Sequence, residues 1–427
     1  MNKNNSSVTR RDFVKASSAV AAAATVATAS AKNWAWAGGS DTIRIGVIGC
    51  GGRGTGAATD ALDSGPGTKI VALADVFRDR MQSCRDFLKE NYKDRADISD
   101  DRVFTGFDCY KQLLAAQGID SVILATTPHF RPIHFAAAIE AGKHVFMEKP
   151  VAVDGPGIRA VMAASEIAQQ KGLAVVAGTQ RRHEDCYLQA LQRVRDGAIG
   201  RLIHGRVYWN QGGLWVKTKQ PEWTDMEWQI RNWLYFTWLS GDHIVEQHVH
   251  NLDVANWVVG STPKTAYAMG GRQVRTGAEY GHIFDHFSIE YEYADGTIVN
   301  SMCRQIDGTD SRVWEAFAGT DGTLRTTSGQ AEIKGKSAWR YSGSMNPYKQ
   351  EHVDLYASIA AGKVINEGKR IAESTLTAIM GRMAAYTGKT VTWEQALASK
   401  ERLGPTNYEL GPLPVPPVAV PGRTPLV

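Results

Sequence analysis

Between about residues 42 and 150, short apolar runs alternate with segments of helical periodicity. The apolar runs fall at 42–48, 69–74, 121–126 and 143–147. Strands that alternate with helices of this length form parallel sheets with helices on both faces. The pattern therefore predicts an α/β domain with a doubly wound parallel sheet over residues 38–155.

Beyond about residue 200, most of the apolar runs follow one another with little helix between them. These runs fall at 203–211, 265–274, 284–293, 297–305, 313–319 and 323–327. The Asp-Gly turns at 294–296 and 320–322 are typical of hairpins. Over residues 156–400 we predict an α+β domain with an open, mainly antiparallel sheet.

The tail that starts at Pro405 is rich in proline, which suits neither a helix nor a central strand. We expect residues 401–427 to form an extended arm that lies on its own chain or on a neighbouring subunit. The open sheet face and this arm together predict a homo-oligomer, either a dimer or a tetramer.

Residues 1–37 have the pattern of an export signal followed by a linker. Arg10 and Arg11 precede an uncharged, alanine-rich stretch at 16–31, which ends in a small-residue cleavage site. This arrangement is typical of a twin-arginine signal. A membrane anchor is the alternative, but the stretch is short and polar for a span. We expect a periplasmic or otherwise exported protein, with no membrane segment once the signal is removed.

Charge and cysteine content narrow the classes of partner. The formal net charge is +4, and the first 31 residues carry +3 of it, which leaves about +1 for the rest. That balance gives no reason to expect nucleic acid. The five cysteines are scattered without C-x-x-C spacing, so they predict neither a disulfide framework nor a zinc site.

A glycine cluster follows the first predicted strand, with G-x-G-x-x-G spacing at Gly49, Gly51 and Gly54. In a Rossmann domain these glycines permit a tight turn, close approach of the backbone to a pyrophosphate, and close helix–strand packing. Free N–H groups at the helix start, at Gly52 and Arg53, favour the anion. The cluster predicts a dinucleotide site.

Asp75 ends the second predicted strand, 21 residues after the last glycine of the cluster. A carboxylate at this place accepts hydrogen bonds from the adenine-ribose hydroxyls and repels a 2′-phosphate, so NAD is favoured over NADP. A helix cap or a turn residue is the alternative. Arg78 and Arg80 lie close by and weaken the preference.

Two further segments carry a family resemblance: Ala-Thr-Thr-Pro-His at 125–129 and Ala-Gly-Lys-His-Val-Phe-Met-Glu-Lys-Pro at 141–150. With the glycine cluster, they resemble the Gfo/Idh/MocA oxidoreductases, such as glucose–fructose oxidoreductase and inositol dehydrogenase. The resemblance implies that Lys149 lies near the nicotinamide and that the bond to Pro150 is cis. It also implies cofactor contacts from Thr126, Pro128, His129 and Glu148.

An independent argument for Lys149 comes from its position. It follows an apolar strand at the edge where α/β proteins bind ligands. A lysine there can hold an alkoxide by its charge or take part in proton transfer. The alternative is a structural ion pair with Glu148 or another carboxylate.

A second site segment spans residues 240–253. On a helix, Glu246, His250 and Asp253 are spaced i, i+4 and i+7 and share one face. The resemblance implies that His250 is the acid–base residue, that Glu246 stands where relatives have Asp, and that Asp253 supports substrate binding. Two alternatives remain: a metal site that includes His243, since the spacing suits zinc or manganese, and a polar helix face.

Four more residues are candidates for binding substrate hydroxyls. Arg181 and Arg182 lie in a segment that resembles the family's entry into the substrate domain, although a surface or interface pair fits them equally well. Asn210 and Gln211 lie in a tryptophan-rich stretch at 208–238. Tryptophans of this density are more often core residues than platforms for sugars.

These parts predict an oxidoreductase that uses NAD and no metal. His250, assisted by Lys149 and oriented by Glu246, removes the proton from a secondary hydroxyl of a sugar, glycoside or polyol. Export favours a cofactor that is held tightly and regenerated on the enzyme. The alternatives are an NAD-dependent glycosidase that works by transient oxidation and elimination, and a non-catalytic ligand-binding protein on the same fold.

Overall fold

A computed structural model describes residues 42–427, so the predicted export signal lies outside the described residues. The first domain contains six strands: β1 (Ile43–Ile48), β2 (Thr68–Asp75), β3 (Val103–Thr105), β4 (Ser121–Leu124), β5 (His144–Met147) and β6 (Val175–Ala177). They form a parallel sheet in the order β3-β2-β1-β4-β5-β6. The predicted doubly wound sheet is confirmed, but it extends beyond the predicted boundary at residue 155, because β6 pairs with β5. Its strand order reverses between β1 and β4, where such folds bind ligands.

Five helices belong to this domain: α1 (Gly52–Asp63), α2 (Arg78–Tyr92), α3 (Cys109–Ala115), α4 (Arg131–Glu140) and α5 (Gly155–Gln170). Buried side chains of α1 and α2 join one hydrophobic cluster with the sheet. Those of α3, α4 and α5 join a second cluster. Because both faces of the strands are buried, the strands read as continuous apolar runs rather than as alternating ones.

The second domain has nine strands: β7 (Leu202–Gln211), β8 (Pro263–Gly271), β9 (His286–Tyr293), β10 (Ile298–Gln305), β11 (Arg312–Gly319), β12 (Gly322–Thr327), β13 (Gln330–Gly335), β14 (Trp339–Arg340) and β15 (Val391–Thr392). Their order is β14-β13-β12-β11-β7-β10-β9-β8-β15. Only β7 and β10 pair in parallel. The prediction of a mainly antiparallel sheet is confirmed.

Eight helices accompany this sheet: α6 (Asp185–Arg195), α7 (Asp225–Arg231), α8 (Thr237–Ser240), α9 (His243–Glu246), α10 (Val249–Val259), α11 (Pro347–Ala360), α12 (Gly368–Thr387) and α13 (Trp393–Ala398). Buried residues of α10 and α12 pack on one face of the sheet. The opposite face stays open, with Tyr267 57% and Met269 67% exposed.

Helix α11 lies on the first domain although it comes late in the chain. Its buried residues Leu355, Tyr356 and Ile359 join the cluster that contains α1, α2 and the first sheet. The first turn of α11 lies close to the N-terminus of α1, since the ring of Tyr348 is 5.2 Å from the guanidinium of Arg53.

The tail at 401–427 contains no helix or strand and lies along its own chain. The N–H of Leu403 donates to Asp154, the side-chain amide of Gln229 donates to the carbonyl of Leu413, and the N–H of Gly422 donates to the carbonyl of Thr387. Over residues 42–427, none of the helices combines the length and the apolar character that crossing a bilayer requires.

Candidate active site

The glycine cluster forms the turn between β1 and α1. Gly49 has a φ of +98°, and a Cβ there would lie 2.5 Å from the main chain of Ala125. A Cβ on Gly54 would lie 1.8 Å from the carbonyl oxygen of Gly49. A Cβ on Gly52 would meet no described atom within 4 Å. The turn needs glycine, and the space before the α1 N-terminus is open, so this cradle fits a dinucleotide pyrophosphate.

Asp75, at the end of β2, lies beside this turn. Its two carboxylate oxygens accept hydrogen bonds from the N–H groups of Cys50, at 2.7 Å, and Phe77, at 2.9 Å. Burial raises the pKa of Asp75. The hydrogen bond from Phe77, two residues further along the chain, is typical of an aspartate in a turn, which was the alternative role for Asp75. Each oxygen keeps a second lone pair, so Asp75 can still accept from a ribose.

Arg80 lies near both Asp75 and the glycine turn. Its charge lowers the pKa of Asp75 against the larger effect of burial, and its guanidinium lies 4.0 Å from the position of a Cβ on Gly51. In this position Arg80 could pair with the 2′-phosphate of NADP, as expected of an arginine that weakens the preference for NAD over NADP.

Arg53 and Glu148 form an ion pair between α1 and the end of β5. Arg53 also reaches Asp60, at 3.1 Å, and its guanidinium lies 5.2 Å from the ring centre of Tyr348 in α11. The two residues predicted to contact the cofactor therefore hold each other at the edge of the cradle. Tyr348 adds a group from the second domain, which the sequence did not reveal.

Arg131 is a buried positioning residue that sequence analysis missed. Its guanidinium donates to the main-chain carbonyls of Glu148, at 2.9 Å, and Thr126, at 2.5 Å. It therefore fixes the ends of β4 and β5 relative to each other. Burial lowers the pKa of Arg131 to about 10. The Thr126 hydroxyl oxygen also lies 3.1 Å from Nδ1 of His134.

His129 and Pro128 lie in the short 3-10 helix after β4. Pro128 is buried, and Nε2 of His129 lies 2.8 Å from the hydroxyl of Tyr408 in the C-terminal tail. The His129 ring also packs edge-on against Trp238, and burial lowers its pKa to about 4. The structure thus places His129 against the second domain and the tail.

Lys149 connects the two domains. Its Nζ donates to a carboxylate oxygen of Glu246, at 2.9 Å, and to the main-chain oxygen of the same residue, at 2.7 Å. The Lys149–Pro150 bond is cis, as the resemblance implied. The ion pair named as the alternative role of Lys149 exists, and its partner is Glu246, the carboxylate expected in the active site. An ammonium has three N–H groups, so one is left for a substrate oxygen.

The segment that carries Glu246 and His250 is not the single helix that was predicted. Helix α9 ends at Glu246 and α10 begins at Val249. Between them, the N–H of His248 donates to the carbonyl of His243, five residues earlier, a π-type turn of the kind frequent at functional sites. The N–H of His250 donates to the carbonyl of Gln247. The break therefore frees the Glu246 carbonyl for Lys149.

His250 lies on the inner face of the second sheet. Its ring stacks on Trp209 of β7 with 5.6 Å between ring centres. Burial, followed by the charges of Lys149 and Arg181, holds the pKa of His250 well below its ordinary value. Its Nδ1 has no hydrogen-bond partner among residues 42–427. A neutral imidazole with a free nitrogen is able to accept a proton.

Asp253 and Arg182 were predicted to bind substrate, and the structure pairs them with each other. Asp253 is buried and accepts from Arg182 at 2.8 Å, Arg370 at 2.9 Å and Ser374 at 2.7 Å. Burial would raise the pKa of Asp253, but the two guanidiniums outweigh it and hold the pKa well below its ordinary value. These contacts connect α10 to α12, and a contact of Asp253 or Arg182 with substrate stays a prediction.

Asn210 was also predicted to bind substrate, and its place on β7 makes it a weaker candidate than its neighbour Gln211. Side chains alternate along a strand, so Trp209 and Gln211 share the inner face of β7 while Asn210 points to the open face. Gln211 accepts from the indole N–H of Trp209 at 2.6 Å, and its own amide nitrogen has no partner within residues 42–427. The alternation of side chains along the predicted run at 203–211 therefore favours Gln211 over Asn210 as a residue that faces the site.

Arg181 remains beside the site. It is buried, donates to Glu315 at 2.5 Å, and lies 5.6 Å from the ring centre of Trp209. Its Nε has no partner in the described part of the chain, so one donor is left for a ligand.

The alternative of a metal site depended on four residues: His243, Glu246, His250 and Asp253. Their contacts do not support it. Nδ1 of His243 lies 2.6 Å from the side-chain amide of Gln305, and Asp253 is held by two arginines. Glu246 binds Lys149. No group of three histidine, cysteine or carboxylate side chains suited to a metal occurs between residues 42 and 427.

Comparison with known proteins gives the family. Residues 43–193 match the model of the Gfo/Idh/MocA oxidoreductase family with its NAD-binding Rossmann fold, and residues 187–325 match the C-terminal domain model of the same family. The chain belongs to the Gfo/Idh/MocA oxidoreductase family. Its first domain is thus an NAD-binding domain, as the glycine turn and Asp75 predicted.

Two curated relatives are similar over part of their length. An inositol 2-dehydrogenase/D-chiro-inositol 3-dehydrogenase of Shouchella clausii is 28% identical over 51% of this chain and 53% of its own. Glycosyl hydrolase family 109 protein 1 of Bacteroides fragilis is 28% identical over 56% of this chain and 50% of its own. The chain thus matches about half the length of these relatives.

Solved structures agree on the fold. An oxidoreductase from Agrobacterium radiobacter, in complex with NAD+, L-tartaric acid and magnesium, superposes with a TM-score of 0.64 at 17% identity. The match covers 82% of this chain and 98% of that one. At this identity, the likeness extends to both domains of the fold and not to the substrate.

Proposed function

We propose that this protein is an NAD-dependent oxidoreductase that acts on a secondary hydroxyl of a sugar or polyol. The observation that carries the proposal is the pairing of Lys149, from the dinucleotide domain, with Glu246, four residues before His250. Lys149 is also near enough to His250 for its charge to lower the pKa of the imidazole. The similarity to inositol dehydrogenases supports a polyol as the substrate class.

Each residue has a defined task at the substrate hydroxyl. His250, neutral because of its burial, accepts the hydroxyl proton. The third N–H of Lys149 donates to the substrate oxygen and stabilises the developing alkoxide. Glu246 holds Lys149 in place through two hydrogen bonds. Arg181 and Gln211 offer donors to the neighbouring hydroxyls.

Bound NAD supplies the redox chemistry by taking the carbon-bound hydrogen with its electron pair. The cradle of Gly49, Gly51, Gly52 and Gly54 would hold the pyrophosphate, and Asp75 the adenine ribose. Arg53 and Glu148 line the edge next to Lys149.

The test is a screen of inositols, aldoses and glycosides with NAD and the protein lacking residues 1–37, followed by absorbance at 340 nm and by mass analysis of the sugar products, because a cofactor regenerated on the enzyme gives no net NADH. We expect turnover of at least one polyol by the native chain and none by the His250→Ala variant. Unchanged turnover in His250→Ala would favour a non-catalytic binding role for this site.

A second candidate is an NAD-dependent glycosidase. Similarity to a glycosyl hydrolase family 109 protein favours it. In such a reaction, transient oxidation of one hydroxyl makes a neighbouring C–H acidic and allows the glycosidic group to leave. Product analysis on an aryl glycoside separates the two functions. An oxidised sugar indicates a dehydrogenase, whereas a released aglycone without net redox change indicates a glycosidase.

Location and cofactor retention belong to the same proposal. We infer export through the twin-arginine pathway from Arg10, Arg11 and the stretch at 16–31. Because twin-arginine export carries folded proteins, NAD is loaded before export and held tightly. Cell fractionation of a tagged chain with Arg10 and Arg11 both replaced by Lys tests the route. The mass of the nucleotide that co-purifies with the mature protein tests retention.

Self-association is the last part of the proposal. The open face of the second sheet exposes Tyr267, Met269 and Met302, and we propose that a second copy covers it. Sedimentation should give an oligomer for the native chain and a smaller species for Met269→Lys.

A further inference from the structure

The residue before α9 has a backbone conformation that a side chain rarely adopts. Asp242 has φ +78° and ψ +166°, a region used almost only by glycine. Lys93 is the only other non-glycine residue with a positive φ among residues 42–427. Lys93 is exposed, whereas Asp242 is completely buried.

The Asp242 side chain explains how this conformation is held. One carboxylate oxygen accepts from the N–H of His243, and the other accepts from the N–H of Phe284, at 2.8 Å, and from the hydroxyl of Tyr386. These partners lie on α9, on the segment before β9, and on α12. The carboxylate therefore joins three parts of the second domain at one point.

The main chain of Asp242 in turn supports α9. Its carbonyl accepts from the N–H groups of Val245, at 3.0 Å, and Glu246, at 2.9 Å. Any shift of Asp242 therefore shifts Glu246, whose carboxylate and carbonyl both hold Lys149.

We propose that Asp242, held by Tyr386, is a positioning residue that sets where Glu246 meets Lys149. The inference rests on the proposed function for its kinetic consequence, but its geometry can be tested without any substrate. Glycine at this position would relax the backbone and release all three anchors. An aspartate keeps the strained turn in one place.

The ionisation of Asp242 makes this positioning role dependent on pH. Burial raises the pKa of Asp242 to about 7, and the hydrogen bond from Tyr386 opposes this rise. The other titratable or charged groups that face it are Arg382 on α12, His243 on α9, Arg272 after β8 and Cys303 on β10. Protonation removes an acceptor from the cluster, so the anchor weakens as the pH falls through this pKa.

The first experiment measures acylation of Lys149 by an N-hydroxysuccinimide ester, quantified by peptide mass spectrometry on the holoprotein. In Asp242→Gly, freed from its anchors, Lys149 should react several-fold faster than in the native chain. Lys93→Gly relieves the other positive φ and is the matched control, with no change expected. Equal labelling of Lys149 in native and Asp242→Gly protein would overturn the proposal.

The second experiment is the pH dependence of kcat. A misplacement of about 1 Å costs roughly 10²-fold in rate, so the kcat of Asp242→Gly should fall by about this factor while KM changes little.

Tyr386→Phe keeps the carboxylate of Asp242 but removes a donor that lowers its pKa, so the acid-side midpoint of kcat should move to higher pH. An unmoved midpoint in Tyr386→Phe contradicts the proposal, and that variant decides it if Asp242→Gly fails to fold. If no polyol is turned over, the proposed function fails, while the labelling still tests Asp242.

Discussion

The Nζ of Lys149 lies 2.9 Å from a carboxylate oxygen of Glu246, and this contact joins the dinucleotide domain to the substrate domain. Both side chains are about nine-tenths buried. When one partner of a buried ion pair is removed, the other is left as an uncompensated charge. The pair is therefore both a structural link and the centre of the proposed chemistry.

Replacement of the two partners should have graded effects. Lys149→Ala removes the cation at the substrate oxygen, so we expect kcat/KM to fall by about 10³-fold, as when one oxyanion donor is lost. Glu246→Gln keeps the carbonyl contact to Lys149 and should retain more activity. Steady-state kinetics checks both, with exposed Lys389→Ala as the control. Equal activity of Lys149→Ala and native protein would refute this role.

Loss of His250 should affect the chemical step and not cofactor binding. We expect His250→Gln to lower kcat by about 10²–10⁴-fold, the usual contribution of a general base, with the dissociation constant of NAD unchanged. Because the pKa of His250 lies well below its ordinary value, its imidazole should stay neutral at pH 6. An NMR titration of its Cε1 proton, assigned with the variant, checks the charge state. A midpoint at or above 6.5 would contradict the prediction.

Two neighbours on β7 provide a matched pair. Gln211 faces the site, and its amide nitrogen has no partner among the described residues, whereas Asn210 faces the open side of the sheet. We expect Gln211→Ala to raise KM by about two- to tenfold, which corresponds to one net hydrogen bond, and Asn210→Ala to leave KM unchanged. A larger effect of Asn210→Ala than of Gln211→Ala would show that the substrate contacts the other face of β7.

The cofactor preference should depend on Asp75. Asp75→Asn removes the charge that repels a 2′-phosphate and keeps an acceptor for one of the two backbone N–H groups, while Arg80 remains beside the site. We expect the ratio of kcat/KM for NAD over NADP to fall about tenfold or more. A ratio that does not change would mean that Asp75 acts only in the turn.

Glu351, in the first part of α11, should make stability depend on pH. It is completely buried, both of its carboxylate oxygens lack a partner among the described residues, and burial followed by the charge of Glu148 raises its pKa well above the ordinary value. A raised folded pKa favours the protonated form, so the folded state loses stability as the pH rises above the unfolded pKa of about 4.5.

We therefore expect the native Tm to fall between pH 6 and pH 9 by more than the Tm of Glu351→Gln, which cannot ionise. Thermal unfolding at both values measures this difference. Glu394→Gln, on the surface, should behave as the native chain. A native protein whose Tm falls no more than that of the variant would exclude Glu351 as the source.

Local patterns predicted most of the fold. The first sheet follows from apolar runs separated by helices, and the glycine turn follows from its spacing together with the strand before it and the helix after it. The site was less predictable, because its details depend on long-range contacts. Arg370, which holds Asp253, lies more than a hundred residues further along the chain. The break after Glu246 follows from hydrogen bonds that a regular helical period does not encode.

Helix α11 has a consequence for how the protein is made. It closes one face of the first sheet, yet it ends at residue 360, near the end of the chain. During synthesis, the nucleotide-binding domain therefore emerges from the ribosome before the helix that packs on it. Until then, the apolar surface that Leu355, Tyr356 and Ile359 cover in the finished protein stays exposed to water.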